Sequence, residues 1–444
     1  MISMNLTREL KESDWHRINY YGAKVRHLDL RCSEYPDRWI AMIHSEALKA
    51  ITTSQFFQCF VPKLRSLKLP LDDDCVLTLI PYLQCVLSRT LATIHISESS
   101  RRLARGRETT LMPHLLRHCP NIEVFKVLGF VLMQIPLCIP SMSELMCNLN
   151  NIRELNLGTF SPTPEMVRHL GDLPSLRSWT SLRTCDGVYD LKLFTTTGNR
   201  FPALRIFGFV SSWTTATAVV DSMRCPFESL SIEASPPQAT DADSVRAFDQ
   251  LIASMTAHPT VKSLLNLEIS AWSCRTDAEP DVVSSTYERL FSFTALRSLT
   301  VGVNFPHNLD DSWIMSAAMA WPHLPELSLP GDGPPRMTLA GLIPLVKQCP
   351  HLSVLGLPVR LDPFEIKLLS GTSNAKIQCL AVLNKSIASP IAVFRCLVAM
   401  FPMLRSIYAI LPDRDPGYKQ LLEMFEDTEG VVEVPYYGDD DPLI

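Results

Sequence analysis

Two histidines are spaced so that they could bind one metal ion. His114 and His118 stand four residues apart, which places both imidazoles on one face of a helix. A zinc site needs a third and usually a fourth ligand, and this segment lacks the glutamate of a helical metalloprotease motif. We therefore predict two structural histidines, no metal site and no cofactor.

Other motifs of enzymes give equally little support for catalysis. Gly331 and Gly333 precede two prolines instead of a helix, so this loop cannot hold a phosphate as a dinucleotide-binding loop does. The sequence has no Gly-x-Ser-x-Gly, Walker or His-Glu-x-x-His motif. We predict a protein that is not an enzyme. A hydrolase would require a cleft in which a nucleophile is hydrogen-bonded to a base.

Composition limits the compartment and the class of partner. The 13 cysteines are an odd number without a Cys-x-x-Cys motif, which favours free thiols in a reducing compartment. Residues 1–10 lack a signal sequence, and the most apolar stretch, 127–140, is too short to span a bilayer. With a net charge of -5, the chain lacks the basic excess of a nucleic-acid-binding protein. We expect a cytoplasmic or nuclear protein that binds neither membranes nor nucleic acid.

A short phrase recurs along the chain, with apolar residues at its first, fourth and sixth positions. Its fourteen copies begin 23 to 39 residues apart. They lie at 25–30, 64–69, 91–96, 122–127, 152–157, 176–179, 204–209, 227–232, 264–269, 296–301, 324–329, 352–357, 377–382 and 404–409. The last four positions alternate apolar and polar residues, which is the period of a half-buried β-strand.

The repeat predicts a fold in which neighbouring units share a core. A lone strand of this length cannot bury its apolar side, whereas parallel strands stacked in a sheet can. The spacing leaves about 20 residues for a crossover helix. We therefore predict an α/β leucine-rich-repeat solenoid, a curved horseshoe with parallel strands on the concave face and helices on the convex face. Its parts are an N-terminal capping segment at 1–24, about fourteen irregular repeats at 25–429 and an acidic C-terminal tail at 430–444.

The segments between the strands contain helix signals. Apolar residues recur at helical spacing in 45–60, 112–116 and 339–346. Asp72–Asp74 and Asp310–Asp311 stand where helices should begin. A carboxylate at a helix start is stabilising because it accepts hydrogen bonds from the unpaired backbone amides of the first turn. Prolines such as Pro120, Pro174 and Pro350 precede the strands and cannot continue a helix. Cys119, Cys225 and Cys349 adjoin such prolines, and we predict that they are small buried hydrophobic residues.

The phrase with its preceding proline reads His118-Cys-Pro-Asn-Ile-Glu-Val-Phe125 in one copy and Gln348-Cys-Pro-His-Leu-Ser-Val-Leu355 in another. These copies resemble the repeats of F-box/leucine-rich-repeat proteins. The opening from Leu6 to Trp15 is similar to the start of the repeat region in fungal members of that family. The resemblance covers nearly the whole chain. It implies substrate recognition for an SCF-type ubiquitin ligase and thus ubiquitin-dependent protein degradation.

The resemblance also implies an F-box, a helical module that docks the ligase adaptor. The 24 residues before the first predicted strand are too few for its three helices. We therefore expect this chain to bind the adaptor only if an F-box is supplied upstream. A stand-alone leucine-rich-repeat scaffold or inhibitor, with no ligase, is the alternative.

The variable positions of the strands are expected to line the concave face and to bind a protein or peptide. The candidate binding residues are His27, Asp29, Arg31, Lys68, His95, Lys126, Glu154, Asn156, Glu268 and Tyr408. The early copies contribute charged residues and histidines, and the later copies mostly small neutral ones. Specificity is therefore expected in the N-terminal half.

Basic residues recur just before the strands. They are Arg26, Arg65, Arg153, Arg177, Arg205, Lys262, Arg297 and Arg405. Stacked repeats would bring them together as a ridge for an acidic or phosphorylated partner. Alternatively each could lie over its own repeat and pair with a nearby acid. We favour the second interpretation because the chain has 46 acidic and 41 basic residues.

Overall fold

A computed structural model describes most of the chain. The described residues are 2–4, 11–29, 41–43, 61–70, 83, 86–97, 108–128, 138–158, 160–184, 201–234, 241–271, 284–303, 308–331, 335–382, 387, 389–409 and 416–426. The chain divides into two compact units, Met1–Phe209 (unit 1) and Val210–Ile444 (unit 2). The predicted helix at 45–60, Asp72–Asp74 and the predicted acidic tail lie outside the described residues.

Unit 1 is built on parallel strands that follow one another in chain order. The strands are β1 (Ile2–Met4), β2 (His27–Asp29), β3 (Ala41–Ile43), β4 (Ser66–Pro70), β5 (Thr93–Ser97), β6 (Val124–Leu128), β7 (Glu154–Asn156), β8 (Ser178–Thr184) and β9 (Ile206–Ser211), which runs across the boundary between the units. Strands β2, β4, β5, β6, β7 and β8 pair in parallel in that order. β9 is next in the sheet order, and β1 and β3 form a separate parallel pair.

Unit 2 repeats this arrangement. Its strands are β10 (Ser229–Ala234), β11 (Asn266–Ala271), β12 (Ser298–Gly302), β13 (Glu326–Ser328), β14 (Met337–Thr338), β15 (Val354–Leu357), β16 (Val359–Arg360), β17 (Cys379–Val382) and β18 (Ser406–Ala409). Strands β10 to β13, β15, β17 and β18 pair in parallel in that order. The short strands β14 and β16 form a second parallel pair.

Helices occupy many of the crossovers. They are α1 (Glu12–Gly22), α2 (Glu108–His118), α3 (Cys138–Asn148) and α4 (Pro164–Asp172) in unit 1, and α5 (Trp213–Ser222), α6 (Asp241–Ala257), α7 (Ser284–Glu288), α8 (Asp311–Ala320), α9 (Ile343–Gln348), α10 (Pro390–Met400) and α11 (Pro416–Glu426) in unit 2. Neighbouring helices contact each other, as α2 does α3 and α5 does α6. Within the part of the chain described, none combines the length and the apolar character that crossing a bilayer requires.

One row of large apolar side chains runs through the centre of each sheet. In unit 1, Leu67, Ile94, Phe125, Leu155 and Trp179 are in register on adjacent strands and are buried. In unit 2 the corresponding buried row is Leu230, Leu267, Leu299, Leu327, Leu355, Leu380 and Ile407. These residues are the fourth positions of the sequence phrase. The shared core that the repeat predicts is therefore present in each unit.

The strand pattern of the sequence is confirmed copy by copy. Each of the fourteen phrases contains one strand of the two long parallel series, so each unit is an α/β solenoid of leucine-rich-repeat type. The predicted stop signals also hold: α2 ends before Pro120, α4 before Pro174 and α9 before Pro350. Whether one array runs unbroken from 25 to 429 stays a prediction.

The predicted helix start at Asp310–Asp311 is confirmed. Asp310 caps α8, since its carboxylate accepts hydrogen bonds from the backbone amides of Ser312 and Trp313. Helix α1 begins at Glu12, where the Asp14 carboxylate accepts a hydrogen bond from the Lys11 backbone amide at 2.9 Å. Cys119, Cys225 and Cys349 are buried, as predicted. Burial raises the pKa of Cys349 to about 11, so its thiol is unreactive at neutral pH.

Candidate protein-binding surface

The open face of unit 1 presents two rows of side chains that are polar except for Val124. These side chains alternate along each strand with the buried row, so they point to the opposite side of the sheet. The first row is His27, Ser66, Thr93, Val124, Glu154 and Ser178, and the second is Asp29, Lys68, His95, Lys126, Asn156 and Thr180. We call these twelve residues the unit 1 open face.

Charge is ordered along the second row. Lys68 Nζ lies 3.8 Å from Asp29 Oδ2, and Lys126 Nζ lies 2.8 Å from Glu154 Oε2. His95 stands between the two lysines, in register with both. The second row thus runs from the Asp29 carboxylate through two ammonium groups and an imidazole to the Asn156 amide, and the Glu154 carboxylate of the first row pairs with the last ammonium group. Backbone pairing fixes these groups on adjacent strands, roughly 4.8 Å apart.

His95 is held in its neutral form. Partial burial is the largest cause that lowers its pKa below 6.5, and the positive charges of Lys126 and Lys68 lower the pKa further. Glu154 and Asp29 act in the opposite direction. At neutral pH the imidazole is therefore an uncharged hydrogen-bonding group between two cations.

Titration of His95 tests this arrangement. By NMR of isotopically labelled histidine, we expect its midpoint below 6.5. Lys126→Ala should move the midpoint up towards 6.5 without reaching it, because burial remains. Since the folded pKa lies below the unfolded one, protonation favours the unfolded chain. Above pH 6.5, His95 is therefore neutral in both states and does not reduce the free energy of unfolding. As the pH falls from 6.5 through the folded pKa, protonation of His95 in the unfolded chain reduces that free energy.

The control for this titration is the exposed lysine Lys347, which lies in α9 of unit 2. Lys347→Ala removes the same charge and should leave the His95 midpoint unchanged. A His95 midpoint at or above 6.5 in the wild type would contradict the placement of its side chain between two lysines.

The open face of unit 2 is acidic and rich in hydroxyl groups. Ser231 donates a hydrogen bond to Glu268 at 3.1 Å, and Ser298 donates one to Glu326 at 3.0 Å. Burial, and secondarily the negative charge of Glu268, raises the pKa of Glu233. Within the described side chains of strands β10 to β18, this face carries no lysine or arginine between these carboxylates. Its charge therefore differs from that of unit 1.

Most candidate binding residues lie where the sequence placed them. His27, Asp29, Lys68, His95, Lys126, Glu154 and Asn156 are on the unit 1 open face, and Glu268 is on that of unit 2. Asn156 has a structural task as well, since its side-chain oxygen accepts a hydrogen bond from the Gly158 amide at 2.8 Å. Gly158 has φ +54°, so this bond supports a left-handed turn. Arg31 and the Tyr408 side chain lie outside the described residues.

The sequence analysis overlooked Glu326 as a candidate. Its position on β13 corresponds to that of Glu154 on β7, two residues ahead of the end of the strand. Applying the register of one repeat to all the others would have found it.

The position of the predicted basic ladder forms a continuous backbone ladder in unit 1, although Ala92 and Glu123 interrupt its arginines. Backbone hydrogen bonds run from each amide to the carbonyl of the preceding repeat, in the order Arg26, Arg65, Ala92, Glu123, Arg153, Arg177 and Arg205. In unit 2 the same bonds join one series of Glu228, Leu265 and Arg297, and a second series of Pro325, Ser353, Gln378 and Arg405. The prediction for Lys262 is wrong: this residue ends a 3₁₀ helix, and Leu265 takes the ladder position.

The turns that precede the strands of unit 1 form a second charged region. We call the turns 23–26, 61–65, 86–92, 117–123, 149–153, 171–177 and 201–205 the basic edge. They contain nine lysines and arginines, namely Lys24, Arg26, Lys63, Arg65, Arg89, Arg117, Arg153, Arg177 and Arg205. Their only acidic residues are Glu123 and Asp172. Arg153 pairs with Glu123 at 3.4 Å, as the second interpretation of the ladder expects.

Two arrangements of side chains resemble catalytic or metal-binding groups. The Thr260 hydroxyl lies 2.5 Å from His258 Nδ1, a spacing that also occurs in activated nucleophiles. Both residues are buried, and the other ring nitrogen of His258 bonds the Met223 carbonyl. Thr260 Oγ1 accepts a hydrogen bond from the Phe227 amide, so this pair joins two neighbouring turns. His114 and His118 stack with ring centroids 6.4 Å apart, and the described residues hold no group of three metal-ligating side chains.

Comparisons with known proteins find a likeness in structure. No protein-family model matches the chain, and neither does any curated protein. A chain in the crystal structure of the Rad7 and Elc1 complex in yeast resembles it at 11% sequence identity and a TM-score of 0.40. The match covers 91% of this chain and 82% of the other. At that TM-score, the assignment of the fold depends on the strand order and register described above.

Proposed function

We propose that this chain is a non-enzymatic protein-recognition module that binds a protein or peptide on the open faces of its strands. The observation that supports this most is the order of charges on the unit 1 open face, where Lys68, His95 and Lys126 lie between the carboxylates of Asp29 and Glu154. Parallel pairing fixes the backbone beneath these groups, so little ordering entropy is lost when a partner binds.

The charge order provides specificity. A partner with carboxylates opposite Lys68 and Lys126 would gain attraction, whereas a basic segment would be repelled there. Asp29 and Glu154 set the limits of the positive region and so define the register of the partner. Because few residues dominate an interface, Lys68 and Lys126 are expected to account for most of the discrimination.

The role of substrate selector for an SCF-type ubiquitin ligase is the finer part of this proposal. It is supported by the resemblance of the proline-led repeats, as at 118–125 and 348–355, to F-box/leucine-rich-repeat proteins. Co-purification of the ligase adaptor with the chain, alone and fused behind an F-box, tests that role. If neither form retains the adaptor while the open face still binds a partner, the role becomes that of a scaffold or inhibitor.

Charge reversal on the open face tests recognition itself. The double variant Lys68→Glu, Lys126→Glu should recover specific partners at least about tenfold less than the wild type, because like charges now face the partner. Quantitative mass spectrometry of proteins retained from cell extract measures this loss. The control, Lys347→Glu with Lys367→Glu, makes the same change in charge at two exposed lysines away from the open face. Equal retention by all three proteins would contradict the proposal.

A further inference from the structure

The basic edge contains a cavity of about 360 Å³. It is lined by Pro62, Leu87, Ser88, Arg89, Arg117 and His118, which belong to two consecutive turns and to the end of α2. Two arginines and a histidine thus line one opening. The volume lies within the range of small-ligand sites.

Hydrogen bonds between the turns hold this cavity in shape. The Thr90 hydroxyl lies 2.9 Å from the Leu64 carbonyl and 3.1 Å from the Pro62 carbonyl, so it attaches its turn to the preceding one. The Asn121 side chain donates a hydrogen bond to the Arg89 carbonyl at 3.1 Å, which attaches the following turn. The backbones that bear Arg89 and Arg117 are therefore positioned before any ligand arrives.

The charges at the cavity are not neutralised locally. Arg89 and Arg117 are exposed, and neither forms an ion pair with any of the residues that the structure describes. On the same edge, Arg65 and Arg177 are exposed as well. An excess of cations in a chain whose net charge is -5 indicates a site for an anion.

We propose that this cavity binds the phosphate group of a phosphorylated serine or threonine in a partner protein, and that the neighbouring cations of the basic edge bind acidic residues beside it. This inference deepens the proposed function and rests on it. Arginine suits this task because its planar guanidinium donates two parallel hydrogen bonds to phosphate oxygens.

A phosphorylated peptide fits the observations better than a nucleic acid. The cavity places two arginines at one anion position, and Glu123 and Asp172 interrupt the cations of the basic edge, whereas a nucleic acid requires cations along a continuous path of phosphates. A single phosphate among acidic residues requires only the local charge that the basic edge supplies.

Peptide binding by the purified full chain tests the proposal. The probe is a peptide library with random flanks and a fixed central phosphoserine or phosphothreonine, and the same library without phosphate is its reference. We expect at least about tenfold tighter binding of the phosphorylated library, because charge-assisted hydrogen bonds contribute more than one tenfold step in affinity. Arg89→Ala with Arg117→Ala should abolish this preference.

Two further variants keep the test specific. Arg297→Ala with Arg405→Ala removes two exposed arginines from the strand-preceding position in unit 2 and should leave the preference unchanged. Arg89→Lys with Arg117→Lys retains the charge and should restore only part of the preference, because lysine cannot make the paired hydrogen bonds. All these side chains are exposed, so the variants should unfold at the wild-type temperature.

Three results would overturn the proposal: equal binding of both libraries, an unchanged preference after Arg89→Ala with Arg117→Ala, or tighter binding of duplex RNA or DNA oligonucleotides than of the phosphorylated library. The Lys68→Glu, Lys126→Glu variant separates this failure from that of the proposed function. This variant should no longer bind partner proteins but should keep the preference for phosphorylated peptides. If the wild type binds partner proteins on its open face but shows no such preference, only the phosphate site is wrong.

Discussion

Replacing Trp179 with alanine will lower the free energy of unfolding by about 3–5 kcal/mol, the usual cost of removing a large aromatic side chain from a core. Trp179 is 0% exposed and continues the apolar row of unit 1 at β8. Its ring centroid lies 5.5 Å from that of Phe201 and 5.5 Å from that of Phe207. The cavity left behind is bounded by rings whose backbones are fixed in neighbouring repeats, so the site cannot collapse to fill it.

Equilibrium urea denaturation followed by far-UV circular dichroism measures this loss, since the signal does not depend on the tryptophan itself. The control is Ile206→Ala, which truncates an apolar side chain on β9 that is 43% exposed. It should cost less than about 1 kcal/mol, because much of that side chain remains in water in the folded state. Equal losses for the two variants would contradict the buried position of Trp179.

Alanine at Gly341 will destabilise unit 2 by about 3 kcal/mol, because it displaces a carboxylate that two hydrogen bonds hold in place. A Cβ atom there would lie 2.0 Å from Asp311 Oδ1. Asp311 Oδ1 accepts a hydrogen bond from the Thr338 amide and Oδ2 one from the Thr338 hydroxyl, both at 2.7 Å. The aspartate cannot move away without breaking these bonds, which join α8 to the segment before α9.

A double-mutant cycle isolates this clash. In the Asp311→Ala background the obstacle is gone, so Gly341→Ala should cost less than about 1 kcal/mol, and the two changes should be strongly non-additive. The control is Gly302→Ala, where the nearest atom to the added Cβ is Pro330 Cγ at an ordinary 3.8 Å. Thermal and chemical denaturation of the four proteins measure the coupling. Additive effects would show that Asp311 does not occupy this position.

The strands and the open face could be predicted because the information is local and repeated. Alternation of apolar and polar residues fixes which side chains are buried, and each copy restates it, so Leu67 and Leu355 are found by the same rule. Once the strands are parallel and in register, the neighbours of His95 follow without any further assumption. That register also places Glu154 diagonally across from Lys126 on the next strand, where the two side chains form an ion pair.

The crossovers and the basic edge could not be predicted in the same way. The crossover between β16 and β17 contains only a short 3₁₀ helix, Ile366–Leu369, which ends where Ser370 and Gly371 adopt positive φ. The cavity at Arg89 and Arg117 depends on hydrogen bonds between turns that are 26 to 32 residues apart in the sequence. Lys262, by contrast, follows from the sequence alone: the phrase at 264–269 has Leu265 at its second position, where the other copies have their arginines, so Lys262 stands outside the ladder.

Register in each unit is constant although the crossovers differ in length. Successive phrases begin 23 to 39 residues apart, yet their fourth residues remain direct partners across the sheet. Only the short phrase is constrained by its neighbours, since closing a longer loop adds little entropic cost. Insertions and deletions during evolution can therefore accumulate between strands without altering the recognition surface. Two descendants of this gene could thus differ greatly in length and still bind the same partner.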